Sequence, residues 1–293
     1  RFDDMDGTFY RVFPEGTIEE YDGVEIGVAP ARQGLDLNRN FPANWQPEAQ
    51  QQGAGDYPFS EPEARALAEF VHARPNIFGA QSLHTGMESI IRPPSTQTDK
   101  EMPQADLRRI WEIGRLGARE TGYILFSDYT LNDEVYSIHG DFGCWCYEFL
   151  GLVAYTVELW DLRARSGKDY LELSQMNKER DLDALEEVEA ALLKWNDEEL
   201  DGEGFIDWRP FDHPQLGPVE IGGWKRLWRN NAPPHCLEET CRKETAFLMA
   251  HAKAGPRLRA EIHAVTPLGD GVHRIEVAVR NDGYLPTHAT EQP

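Results

Sequence analysis

The segment Gly151–Trp160 constrains this chain more than any other. Val153, Tyr155 and Val157 alternate with Ala154 and Thr156, so neither face of an extended backbone carries a charge before Glu158. A short run that is dry on both sides reads as a central, buried strand. Glu158 is its one discordant residue. An unpaired carboxylate in such a place costs several kcal/mol, so it needs a cation, a metal-bound water or a raised pKa; a structural salt bridge is the plain alternative.

Around this run, short apolar segments alternate with helical patterns. Ser60-Glu61-Pro62-Glu63 reads as a capping box with proline in the first turn, and Leu67, Phe70 and Val71 as the apolar stripe of a helix that ends before Pro75. Phe78–His84 is a candidate strand. Gln104–Glu120 has Leu107, Ile110, Trp111 and Gly114 at helical spacing, and Asp181–Trp195 has Leu182, Leu185, Val188, Leu192 and Trp195 on one side. Strands interleaved with helices indicate a layered α/β domain. Residues 201–235 are rich in Trp, Pro and Gly, and a helix follows near Glu239–Ala254. From Arg257 onward, alternation around Gly269-Asp270-Gly271 predicts a β-hairpin with one dry and one wet face, as part of a β-sandwich.

The balance of 29 basic against 51 acidic residues gives a net charge of −22, which argues against nucleic acid or an anionic membrane as a partner. No apolar run reaches the roughly 18 residues of a membrane span. Arg1–Asp6 is neither a signal peptide nor a natural start, and both ends are expected to be cuts, which leaves the compartment unassigned. Cys144 and Cys146, and Cys236 and Cys241, lack the paired C-x-x-C knuckles of a zinc ribbon and are expected to be structural thiols, the first two pointing to one side if they lie on a strand.

Two more sites carry chemistry. Asn38-Arg39-Asn40 sets a planar guanidinium between amides, a shape that grips a carboxylate through parallel hydrogen bonds; a polar turn is the plain alternative. His84 closes its apolar segment before Thr85-Gly86, which is how a sheet edge presents a ligand; a hydrogen-bonded structural histidine is the alternative there.

Taken in order, Gly34-Leu35-Asp36-Leu37-Asn38-Arg39-Asn40-Phe41, then Ser82-Leu83-His84, then Tyr136, then Thr156-Val157-Glu158-Leu159, the sequence resembles the M14 metallocarboxypeptidases. More narrowly, it resembles bacterial members with a C-terminal β-sandwich appendage. Trp145 falls between Tyr136 and Glu158 at the family's position. The resemblance covers about residues 1–200. It implies a three-layer carboxypeptidase-like α/β domain with a mixed central sheet, its N-terminal part missing, over residues 1–200; a connecting segment with one helix over 201–255; and the start of a β-sandwich over 256–293.

It also implies zinc-dependent hydrolysis of C-terminal residues from peptides. Asn38 and Arg39 would clamp the terminal carboxylate of a peptide or protein, His84 would be a zinc ligand, and Tyr136 would swing over the bound residue. Glu158 would take a proton from the zinc-bound water, and Ser82, Thr156 and Gly143 would line the side-chain pocket. The family's first zinc motif, H-x-x-E, does not precede Asn38; residues 1–37 contain no histidine. The two H-x-x-E matches, His235–Glu238 and His273–Glu276, lie on the wrong side of the Asn-Arg loop and are discounted. The chain on its own is therefore expected to be inactive. Arg1 and Arg11 are the candidates for the oxyanion-stabilising arginine, without a matching context. Trimming of cell-wall peptides by the same machinery, and an inactive module that binds peptide carboxylates, are the other readings.

Overall fold

The central run does form a strand, within a four-stranded sheet. In the computed structural model, residues 34–127, 129, 138–214 and 216–292 are described. Strands β1 (Gly79–His84), β2 (Ser89–Arg92), β3 (Ile124–Ser127) and β4 (Val153–Glu158) form one sheet in the order β1-β4-β2-β3. β4 runs parallel to β1 and antiparallel to β2, and β2 runs parallel to β3, so the sheet is mixed. All six residues of β4 are buried.

Helices cover both faces, as a doubly dry strand requires. On one side, α1 (Pro62–His72) and α3 (Phe142–Leu150) pack with Phe41 and Ala154 around Trp145. On the other, α2 (Gln104–Thr121) and α7 (Pro234–Lys253) bury Ile110, Ile113 and Phe247 against Ile90, Tyr155 and Val157. The Tyr155 hydroxyl donates to the Ile110 carbonyl at 2.6 Å, so its polar tip is satisfied inside this layer. Gly117 allows the close approach: a Cβ there would stand 2.6 Å from the Phe247 ring and 2.8 Å from Ile90.

Contacts group the described chain into two units, one from Trp160 to Pro233, the other comprising Asp36–Leu159 and the chain from Pro234 onward. The first has its own small core of Leu162, Leu173, Val188 and Leu192. It contains α4 (Tyr170–Glu179), α5 (Leu182–Leu200), the hairpin β5 (Phe205–His213) and β6 (Gly217–Trp224), and the short α6 (Arg226–Asn230). Asp169 and Glu172 close a reciprocal capping box at the start of α4.

Several expectations are corrected. Cys144 and Cys146 lie on helix α3, not on a strand; Asp141 caps its start through a hydrogen bond from the Cys144 amide, and Gly151 ends it in the left-handed conformation. Helix α1 begins at the expected proline, but its cap residue is Glu61 and no side chain caps it. Its buried stripe is Ala64, Ala68 and Val71, while Leu67 and Phe70 are exposed. Residues 205–224 are a hairpin that Trp, Pro and Gly had disguised.

The C-terminal hairpin forms as expected from β7 (Leu258–Gly269) and β8 (Val272–Asn281), joined through Asp270 and Gly271, both at positive φ. It is not dry on one face. Ile262 is 68 % exposed and Val279 65 %, because the hairpin is a separate two-stranded sheet with no layer over it among the described residues.

Candidate active site

The parallel pairing of β1 with β4 places His84 opposite Glu158 and Ser82 opposite Thr156. Side chains two apart on a strand share a face. Ser82, His84, Thr156 and Glu158 therefore form a two-by-two patch on the α1/α3 side, at the end of the sheet where both strands stop. On the far side of β4, Ser89 pairs with Glu158. Glu158 is 7 % exposed. The chain turns directly over it: Gly86, at φ +133°, is so close that an added Cβ would lie 3.8 Å from Glu158 Oε2.

Ser82 Oγ stands 2.9 Å from His84 Nε2, and the His84 ring makes no other hydrogen bond among the described residues. Burial lowers the pKa of His84; Arg39 adds to the lowering, whereas Asp36 and Asp141 oppose it. The imidazole is thus biased to the neutral form, the one that can accept a metal. The same influences show that Asp36, Arg39 and Asp141 all lie within electrostatic reach of His84, although they come from two other segments of the chain.

Those segments are locked together. Asp36 caps a single 3-10 turn, Leu37–Arg39, by accepting from the Asn38 amide at 2.9 Å. Asn38 Oδ1 accepts from the Phe142 amide at 2.9 Å, tying the turn to the start of α3. The Phe41 amide donates to the Gly140 carbonyl at 2.9 Å, and the Gly140 amide to the Ala43 carbonyl at 2.8 Å. At Gly140, with φ +74°, a Cβ would collide with the Arg39 carbonyl oxygen at 2.3 Å, so only glycine fits. Arg39 is largely buried, and one Nη donates to the Asn38 carbonyl at 2.8 Å.

Asn40 is not the second amide of a carboxylate grip. It is fully buried; its amide donates to the Ala54 and Tyr57 carbonyls and Ser60 Oγ, and its Oδ1 accepts from the Glu61 amide. Gly143 opens α3 beside the patch: a Cβ there would sit 3.2 Å from Asp141 Oδ1 and 3.5 Å from Thr156 Oγ1. Asp141, which the sequence offers as an acidic residue close to Gly143 that leaves side-chain preference open, proves also to be the cap of α3. One of its oxygens caps α3, while the other, Oδ2, is buried without a hydrogen-bond partner among the described residues. The signal for it was an Asp three residues before Cys144, a capping spacing. Tyr136, Arg1 and Arg11 lie outside the described residues.

His84 suits a metal ligand, but no group of three His, Cys, Asp or Glu side chains that could hold a metal ion occurs among the described residues. These residues therefore offer one ligand of a zinc set, not the set. His235–Glu238 lies exposed at the start of α7, and His273 and Glu276 fall on opposite faces of β8. All four cysteines are free thiols, with Cys144 and Cys146 buried. No described helix is long and apolar enough to cross a membrane.

The sequence model of the family described as zinc carboxypeptidase, Peptidase_M14, matches residues 19–179, and a domain of unknown function matches residues 257–293. Murein peptide amidase A of Escherichia coli K12 is 28 % identical over 152 residues, 47 % of this chain and 53 % of that protein, and its counterpart in E. coli O157:H7 matches equally. The chain thus spans about half the length of the curated relatives it matches. Thrombin activatable fibrinolysis inhibitor has a crystal structure that is 24 % identical, covering 55 % of this chain and 42 % of that one, with a TM-score of 0.37. The bovine form in complex with tick carboxypeptidase inhibitor gives the same identity and TM-score over 57 % of its chain.

Proposed function

The chain belongs to the zinc carboxypeptidase family M14, a family of peptide hydrolases, and from that premise we propose that it carries the substrate-gripping and proton-transfer half of a metallocarboxypeptidase site. The observation that carries the reading is the register of β1 on β4, which sets His84 beside Glu158, with Arg39 in electrostatic reach of the same histidine.

In this reading the Arg39 guanidinium binds the terminal carboxylate of a peptide, with the Asn38 side chain beside it. Tyr136 donates a hydrogen bond to the bound residue. Ser82, Thr156 and Gly143 line the space for its side chain. Glu158 holds the proton taken from the attacking water and returns it to the leaving amine, a task that requires a carboxylate shielded from bulk water and within hydrogen-bond reach of both. Zinc, when bound, supplies a Lewis acid and a water of lowered pKa. His84 is the ligand this chain would contribute to it.

Glu158→Gln tests the core of the assignment. In a zinc-loaded enzyme it should abolish turnover while leaving zinc content unchanged, and near wild-type hydrolysis by the variant would sink the role given to Glu158. Zinc content of the present chain after dialysis tests the ligand count, with weak retention expected from a single ligand. A full-length protein that binds peptides with a free carboxylate but neither keeps zinc nor hydrolyses them would favour the inactive binding module. Its similarity to murein peptide amidase A favours cell-wall peptides as the substrate class over ordinary peptides, and turnover of a matched panel of the two separates them.

A further inference from the structure

On the other side of the sheet from His84 and Glu158, α2 and the segment around the end of β8 border an open cleft of about 340 Å³, lined by Arg108, Arg109, Glu112, Asn281, Tyr284 and Pro286. Arg108 stands one turn before Glu112 on α2, and Arg109, three residues before Glu112, flanks the pair.

Each wall is set differently. Arg109 is anchored: it pairs with Asp106 Oδ1 at 3.2 Å, and the fully buried Asp106 also accepts from the Glu291 amide and the Tyr147 hydroxyl. Arg108 is exposed and makes no hydrogen bond or ion pair among the described residues. Tyr284 donates its hydroxyl to Glu112 while its ring stays 49 % exposed. Burial and then Glu112 push the Tyr284 phenol up to about 12, against the opposing pull of Arg108 and Arg109, so all three charges reach this one hydroxyl. Asn281 stiffens the facing rim, accepting from the Arg257 and Gly283 amides and donating to the Leu285 carbonyl at 2.7 Å.

We propose that this cleft binds the zwitterion of a free amino acid or dipeptide, with its carboxylate on Arg108 and Arg109, its ammonium on Glu112, and its side chain against the Tyr284 ring and Pro286. The volume lies at the low end of small-ligand sites, roughly 300–1,000 Å³, which suits one or two residues and not a longer peptide. A guanidinium pair and a carboxylate within one turn select a ligand with both charges, because Glu112 repels a simple anion. The site needs nothing from the sheet edge, so its failure would leave the peptidase reading untouched.

Calorimetric titration of the full 293-residue chain with phenylalanine, N-acetylphenylalanine, phenylalanine amide and inorganic phosphate tests it. Phenylalanine should bind saturably at one site, and both blocked derivatives should bind about tenfold or more weakly, the size of one lost charge-assisted contact. Arg108→Ala should weaken phenylalanine to a similar extent; the exposed side chain supports no other contact, and circular dichroism checks that the variant is folded. Glu112→Gln should remove the penalty on N-acetylation and leave the penalty on the amide. Absence of saturable phenylalanine binding at millimolar concentration overturns the proposal. So does phosphate or N-acetylphenylalanine binding as tightly as phenylalanine, which would make the cleft a plain anion patch.

Discussion

Arg39 and Asn40 are neighbours with opposite duties. Asn40 faces inward, with its amide group engaged on residues 14 to 21 positions further along the chain. Arg39 lies within electrostatic reach of His84 and is proposed to meet the substrate. Two variants separate the duties. Asn40→Ala strands buried donors and acceptors and should destabilise the fold by about 2–4 kcal/mol, read as a lowered Tm. Arg39→Ala removes a largely buried guanidinium and should also lower Tm, by the equivalent of about 1–2 kcal/mol. In an active zinc-loaded enzyme it should raise KM for peptides ending in a free carboxylate by about tenfold to a hundredfold, without affecting binding of the corresponding C-terminal amides. His84 and Glu158 were legible in the sequence because each is a polar residue that ends an apolar run. The inward role of Asn40 was not, since nothing local announces partners so far along the chain.

At the scale of elements, α7 carries two titratable groups on its buried face. Glu244 and His251 are 7 % and 3 % exposed, and neither the Glu244 carboxylate nor His251 Nε2 has a hydrogen-bond partner among the described residues. Burial raises Glu244 from 4.5 to about 7 and lowers His251 from 6.5 to about 4. A carboxyl raised on folding favours the folded state below its unfolded value and loses that contribution as pH climbs from 4.5 through about 7. A histidine lowered on folding contributes above 6.5 and loses it as pH falls through about 4. Thermal melts should therefore show Glu244→Gln stabilised by about 1–3 kcal/mol at slightly alkaline pH and unchanged near pH 4. His251→Phe should flatten the acid limb.

Length and pattern decided which elements the sequence revealed. α2, α5 and α7 are long and periodic, and β4 is dry throughout, so all were visible. β2 and β3 have four residues each, too few to show a period. The Phe142–Leu150 helix is apolar almost all round, which removes the period that would distinguish it from a strand.

Over the whole molecule, apolar surface is unevenly distributed. The layered sheet buries large side chains on both faces, Leu83 of β1 excepted, while the β7–β8 ribbon holds Leu258, Ile262, Ile275, Val277 and Val279 in solvent at 52–68 % exposure. The alternation that predicted the ribbon was sound. What covers a dry face is a property of its neighbours, and a strand pattern cannot encode it. Replacing Ile262 and Val277, which are cross-strand partners, with threonine should change stability by less than about 1 kcal/mol and reduce self-association in light scattering. A large drop in Tm would mean that this face is packed in solution.

The join at Gly140 carries a further consequence. The Phe41 and Gly140 backbones hold each other, so the turn that carries Arg39 is tied through Phe41 to the aromatic cluster of Phe41, Phe59, Phe142 and Trp145. In the proposed reading, ring size in that cluster would work as a shim under the carboxylate-binding turn. A lineage could therefore retune its grip on a chain end by repacking oil, without altering a single residue that touches the ligand.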